Sequence, residues 1–431
     1  MAALARCRSV PLRPSFTGLW RHPDFVRLWA GETISVFGTL IGGLALSFTA
    51  ILWLDATPLA LSVLAAAQLV PGFAVGIVAG VWVDRLRRRP IMIAADVGRF
   101  LALATIPLAA VFDLLTIGQL YSVALTTSTL TVFFDVAYQA YLPTLVTRDE
   151  LVEGNAKLTA SASVAEVASF SLSGWLVQLL TGPGALLIDA VSFLGSALFL
   201  ARIKAAEPPR APVEGRESIW REARDGLRVV ARDPVVRSLA VANVTLSCAS
   251  RMVGVVFLLY LYREVGFDPG VLGMIFAVGG VTSLAGSFLA GRSHLFGGLG
   301  PALVLSVFMR AAGMAFMPLA SSVSVAGTGL LIGNQVVTDP AWTFYEINDV
   351  SLRQGVTPHE VQGRMFASVR FLEFGAMLLG AAFGGILGQT VGLRETLFVA
   401  VGLTSLAGVW LALSPVARLR AMPAAVVEAR G

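Results

Sequence analysis

An apolar run of about twenty residues recurs twelve times along this 431-residue chain, and few folded states can accommodate that repetition. A helix rising 1.5 Å per residue needs roughly 20 residues to cross a hydrocarbon layer of about 30 Å. The runs lie near 25–54, 59–83, 91–112, 117–141, 157–180, 184–201, 235–262, 271–291, 301–319, 323–345, 363–388 and 393–413. Composition decides between lipid and an oversized soluble core. Only 14% of the residues are charged, against about 25% in ordinary soluble domains. Backbone groups in lipid must satisfy one another, so the expected fold is an all-α membrane protein of about twelve transmembrane helices.

Arginine sets the expected orientation, because basic loops stay on the cytoplasmic side. Arg85, Arg87, Arg88 and Arg89, then Arg148 and Lys157, then the cluster from Arg202 to Arg237, then Arg292, Arg353 and Arg364 occupy alternate loops. The other loops offer only Arg263 and Arg394. Both termini are therefore expected in the cytoplasm of a multi-pass protein of the cell (inner) membrane. Residues 1–24 read as an N-terminal arm and 414–431 as a tail. The polar stretch 202–234 starts Pro-rich and continues with Ile219, Trp220, Ala223, Leu227 and Val230 at helical spacing, which predicts an amphipathic linker helix.

The second half repeats the first. Arg27 corresponds to Arg237 at an offset of 210, and Arg99 with Pro107-Leu108 corresponds to Arg310 with Pro318-Leu319 at 211. The segment Leu142…Val146-Thr147…Glu150 returns as Leu352…Val356-Thr357…Glu360 at 210. Six spans per half is an even number, so residues 25–201 and 235–413 should form parallel six-helix bundles with a site between them near the midplane.

Gly80-Val-Trp-Val-Asp84-Arg85-Leu-Arg-Arg88-Arg89-Pro90 fits the pattern G-x-x-x-D-R-x-x-R-R. With the two six-helix halves, this loop resembles the major facilitator superfamily. Phe25-Val-Arg27-Leu-Trp29-Ala-Gly31, Phe133-Phe134-Asp135 with Leu142-Pro143-Thr144, and Leu187-Ile188-Asp189-Ala-Val-Ser192-Phe193 resemble its bacterial drug-efflux branch, which includes macrolide efflux proteins and the enterobactin exporter. The resemblance implies a secondary transporter that rocks its halves, with Gly80, Asp84, Arg85, Arg88 and Arg89 in a gate loop. It also places spans 1, 4, 7 and 10 around the central cavity. In span 5, Ser169-Phe170 stands where related antiporters carry Gly-Pro, a pair associated with antiport.

Charges within spans are costly and mark candidate sites. Spans 1, 4, 7 and 10 contribute Glu32, Asp135, Arg251 and Asp339 respectively. Arg251 should find an acid, with Asp339 the first candidate partner and Glu373 or Glu166 behind it. Glu32, Asp135 and Asp339 are the candidates for a coupling proton. Asp96 with Arg99, and Arg370 with Glu373, are spaced i,i+3 and read as local ion pairs, Asp96 and Arg99 having a gate role as the alternative.

No phosphate-binding loop is possible, since Lys157 and Lys204 follow Ala156 and Ile203 rather than glycine. The net charge of +5 does not suggest a nucleic-acid partner, and the two cysteines and three histidines suggest no metal site. The expectation is a non-enzymatic transporter without ATP or cofactor, driven by the proton gradient. It would export a small amphipathic or hydrophobic compound and work as a monomer. Export of a siderophore or other metabolite, uptake, and a non-transporting receptor or assembly protein are the alternatives.

Overall fold

In a computed structural model, residues 18–76, 79, 82–83, 86–205, 207 and 219–422 are described. They contain thirteen α-helices and no strand. In chain order these are α1 (Pro23–Phe48), α2 (Pro58–Ala74), α3 (Arg88–Val111), α4 (Ile117–Leu145), α5 (Leu151–Ala201), α6 (Ile219–Arg232) and α7 (Pro234–Leu259). The remainder are α8 (Pro269–Ala290), α9 (Leu299–Met314), α10 (Phe316–Leu319), α11 (Val325–Val356), α12 (His359–Thr390) and α13 (Leu393–Leu413). Local sequence sets the starts. The Thr57 and Thr116 hydroxyls accept from Ala60 N–H and Gln119 N–H, and the Asp233 carboxylate from Val235 and Val236 N–H.

The 51-residue helix α5 is two spans, not one. Thr181 takes a left-handed φ of 66° next to Gly182-Pro183, which breaks the helix and folds it back. Both arms lie along α1. Glu153 Oε1 accepts from Leu19 N–H at 3.1 Å near one end, the Ser196 carbonyl lies 3.4 Å from the position a Gly31 Cβ would take, and Gly182 meets Thr49 at the far end.

Nine described segments are long and apolar enough to cross a membrane by length and composition. Three of the twelve expected crossings fall outside that set for visible reasons. The α2 helix has 17 residues before the described chain is interrupted. The first arm of α5 is polar at its start, and α11 carries Asp339, Glu346, Asp349 and Arg353. Counting both arms of α5 and joining α9 to α10 gives twelve crossings in two six-helix halves, with α6 between them.

The halves meet mainly along two helix pairs, α2 with α12 and α5 with α8, with a smaller contact between α2 and α7. Glycine allows the approach: a Cβ on Gly174 would press on the Pro269 carbonyl and the Gly273 backbone, and one on Gly385 would strike Ser62. One end of the bundle carries the loops with Arg87, Arg89, Arg292 and Arg418 and is called the basic end. At the opposite end a single apolar core joins both halves, from Phe48, Ile51 and Leu61 to Leu259, Phe267 and Leu397. At the basic end each half has its own core, around Phe25, Met92 and Tyr141 in one and Leu239, Leu303 and Leu411 in the other. The molecule is therefore sealed at the opposite end and parted at the basic end.

Helix α6 rests on the second half. Gly226 lies against Ser368 and the Arg364 carbonyl, and Val230 packs with Val236, Met365 and Val369.

Candidate functional site

The charged residues expected from the sequence fall into distinct groups. Four carboxyl groups gather about Arg99. The Arg99 guanidinium forms an ion pair with Asp96 and lies between the rings of Phe134 and Phe193, at 4.4 and 4.1 Å from their centroids. Glu32, Asp135 and Asp189 all lie within its electrostatic reach. Asp189 sits against Gly38 and Gly42 of α1, where any side chain would displace its carboxyl group. One Glu32 oxygen and one Asp96 oxygen are buried without a hydrogen-bond partner among the described residues. Asp135 is exposed.

In the second half, a cavity of about 470 Å³ is lined by α7, α11 and α12. Trp342, Tyr345, Phe366, Phe374 and Met377 supply apolar wall, and Glu346, Asp349, Arg353, Arg370 and Glu373 supply charge. A buried network braces it: Tyr345 O–H donates to Asn243 at 2.7 Å, and Asn243 Nδ2 to Asp349 at 3.0 Å, while Asp349 pairs with Arg353.

Two expected pairings do not form. Asp339 does not meet Arg251; it packs beside Gly279 of α8 and faces Arg310. Arg310 donates to Ser250 at 2.7 Å and lies over Trp342 at 3.9 Å. Arg251 points toward α2 and Asp339 toward α8. Nor does Arg251 pair with Glu373, which lies among Arg353, Asp349, Arg370 and Glu346, or with Glu166, which is exposed on the first arm of α5. Arg370 and Glu373 also form no ion pair. Arg370 rests over Phe374 at 5.5 Å, and both face the open cavity, where water weakens the attraction that would draw them together.

Of the gate loop, Gly80, Asp84 and Arg85 lie outside the described residues. Arg88 and Arg89 bind within the first half. Their backbone N–H groups both donate to Glu207 at 2.8 Å, so a carboxylate closes the N-terminus of α3. Arg88 also donates to the Ala140 carbonyl, and Arg89 to Leu200 at 2.9 Å and Ala201 at 2.5 Å.

Glu346, Asp349 and Asn243 were not singled out from the sequence, although the repeat offset points to two of them. Glu346 lies 211 after Asp135, and Asn243 lies 211 after Glu32, the same interval that separates Arg310 from Arg99.

Two six-helix halves, the second with a charged, aromatic-lined cavity, define a membrane transporter of the major facilitator type. Residues 15–430 match the model of the transmembrane secretion effector family, and the chain belongs to that family. Such proteins are transporters of small molecules, not enzymes.

The chain is 27% identical over 403 residues to YfiS of Bacillus subtilis (strain 168), an uncharacterised transporter of this type, covering 88% of this chain and 92% of YfiS. It is 26% identical over 410 residues to the multidrug efflux pump Tap of Mycolicibacterium fortuitum, covering 90% and 95%. Among solved structures, a mutant of the nucleoside transporter NupG superposes with a TM-score of 0.72 at 11% identity, covering 90% and 98%. A bacterial homologue of the iron transporter ferroportin in its inward-facing state gives 0.71 at 17% identity, covering 92% and 98%. An outward-facing structure of such a homologue gives only 0.57 at 18% identity, covering 90% and 98%.

Proposed function

We propose that this chain exports small amphipathic or hydrophobic compounds across the cell membrane in exchange for protons, by alternating access. The observation that carries this reading is the 470 Å³ cavity, in which rings and charges line one void beside a half where four carboxyl groups share one guanidinium. The cavity suits a molecule with an apolar body and polar groups. The carboxyl cluster suits a proton, because Glu32, Asp96 and Asp189 present buried carboxyl oxygens around one Arg, and with all three bare two charges would be uncompensated. The excess of Arg at the basic end supports placing that end, and both termini, in the cytoplasm. The parted halves then face inward, in keeping with the better superposition on the inward-facing ferroportin homologue. Likeness to Tap supports efflux as the direction.

The test is ethidium accumulation in cells expressing the chain, with and without an uncoupler, for Glu32→Gln, Asp135→Asn and Asp339→Asn. Expression should persist while uncoupler-sensitive efflux is lost in at least one variant. Undiminished coupled efflux in all three would refute the assignment of the proton to these residues.

A further inference from the structure

Arg251 stands 17 residues into α7, near the middle of the span, and makes no hydrogen bond or ion pair with any described residue. Each acid that could have balanced it is engaged elsewhere or lies apart, as described above. Arg251 is half-buried, and a cation near mid-span without a partner is costly, so an anion beside it would stabilise it. The guanidinium borders a separate void of about 40 Å³ between the halves, where Ser47 of α1 and Gln68 of α2 are the other polar groups. Ile51, Leu64 and Leu258 form part of its apolar wall. Ser247, one helical turn before Arg251 on the same helix, lines the larger cavity, so the two voids are stacked along α7.

We infer that Arg251, with Gln68 and Ser47, forms a head-group pocket for an anion, and that the cargo is an amphiphile carrying a carboxylate. The inference rests on the proposed export of amphipathic compounds and narrows its substrate class. A void of 40 Å³ has room for a carboxylate but not for a whole cargo. The head group therefore enters here and the body stays in the larger cavity among Trp342, Phe366, Phe374 and Met377. Arg presents a planar fork that matches both carboxylate oxygens. The Gln68 amide has no other hydrogen-bond partner among the described residues and can donate to the same group, while the Ser47 hydroxyl is turned to the Gly43 carbonyl at 3.2 Å and needs only a rotation to join them. The pocket lies between the halves, which favours cargo over a lipid of the surrounding bilayer as the occupant.

The experiment compares 11-(dansylamino)undecanoic acid with its primary amide, by dansyl fluorescence, on the full chain in phosphatidylcholine nanodiscs. The acid should bind roughly tenfold or more tightly than the amide, the ratio expected when a hydrogen bond to a charged group is gained. Arg251→Gln should reduce acid binding to the level of the amide and leave amide binding unchanged, which also shows that the variant is folded. Arg251→Lys, which keeps the charge without the fork, should retain an intermediate preference. Equal binding of acid and amide by the unmodified chain would overturn the inference, as would an equal loss of both in Arg251→Gln, which would make Arg251 a strut between the halves. Binding of neither probe would remove the amphipathic-cargo reading and this inference with it. Loss of the acid's advantage in phosphatidylglycerol nanodiscs would assign the pocket to lipid and overturn the cargo assignment.

Discussion

Gly174→Val should open the sealed end. Gly174 lies on the first arm of α5, where it crosses the start of α8. A Cβ built there would press on the Pro269 carbonyl oxygen and stand 2.9 Å from Gly273 Cα and N. All of these are backbone atoms, so no rotamer change can relieve the clash. Ordinary contact begins near 3.4 Å, and the two halves must move apart by several tenths of an ångström even for Ala. Valine adds two methyl groups in the same gap. Overpacking of this kind costs about 1–3 kcal/mol, and here the cost falls on the conformation in which α5 and α8 touch. The ratio of sealed to open molecules should therefore fall roughly five- to 150-fold. Spin labels at Asp113→Cys and Ser322→Cys, both exposed at this end, report it by double electron–electron resonance in a Cys7→Ser, Cys248→Ala background. Gly174→Val should add a population at longer distance. Gly402→Val, which meets nothing within 4 Å, should not. An unchanged distance distribution in Gly174→Val, at full folding, would refute the claim that this glycine contact seals the end.

Two further outcomes follow from burial. Arg99→Met removes the cation from four carboxyl groups, with its own side chain only 3% exposed, and should destabilise the protein by about 3–5 kcal/mol. Thermal unfolding in detergent should show the loss, and Asp96→Asn added to it should restore part; strictly additive effects would refute the hub. By contrast, the Asp55–Arg263 pair that bridges the halves at the sealed end is 93% and 29% exposed and should contribute about 0–1 kcal/mol. Asp55→Asn should therefore change the sealed-to-open ratio reported by the same labels less than about fivefold, and a larger change would mean that the ion pair, not the apolar core, holds the end closed.

Periodicity reveals depth better than direction. The apolar runs, the break at Thr181–Pro183 and the Asp96–Arg99 pair were legible because each depends on residues close in sequence. Arg251 and Asp339 could be placed near mid-span, but which neighbour each faces depends on helix rotation and on packing between α7, α8 and α11. Nothing in either segment specifies that. The π-helical turns Thr49–Trp53 and Tyr260–Val265, which end α1 and α7 at the sealed end, also carry no residue pattern of their own. They do start 211 residues apart, so the repeat extends to a backbone feature that composition does not mark. Glu346 is legible through the same offset, since it lies 211 residues after Asp135.

The same offset shows where the halves differ. Arg99 corresponds to Arg310 and Asp135 to Glu346, but Glu32 corresponds to Asn243, Asp96 to Val307 and Asp189 to Ala400. In the first half, four acids surround one base. In the second, Asp339, Glu346, Asp349 and Glu373 are matched in number by Arg251, Arg310, Arg353 and Arg370, although Arg251 stands apart from the acids. Backbones related by a repeat have thus been given different electrostatic characters. A balanced half can keep a cavity open without taking up protons, whereas an acid-rich half away from bulk water is stable only when protons or a rearranged Arg99 compensate it. Under the proposed exchange the carboxyl cluster of the first half is the main seat of the proton, with Asp339 the second-half alternative, and the cavity of the second half holds the cargo. The rocking of one half against the other is then the step that couples them.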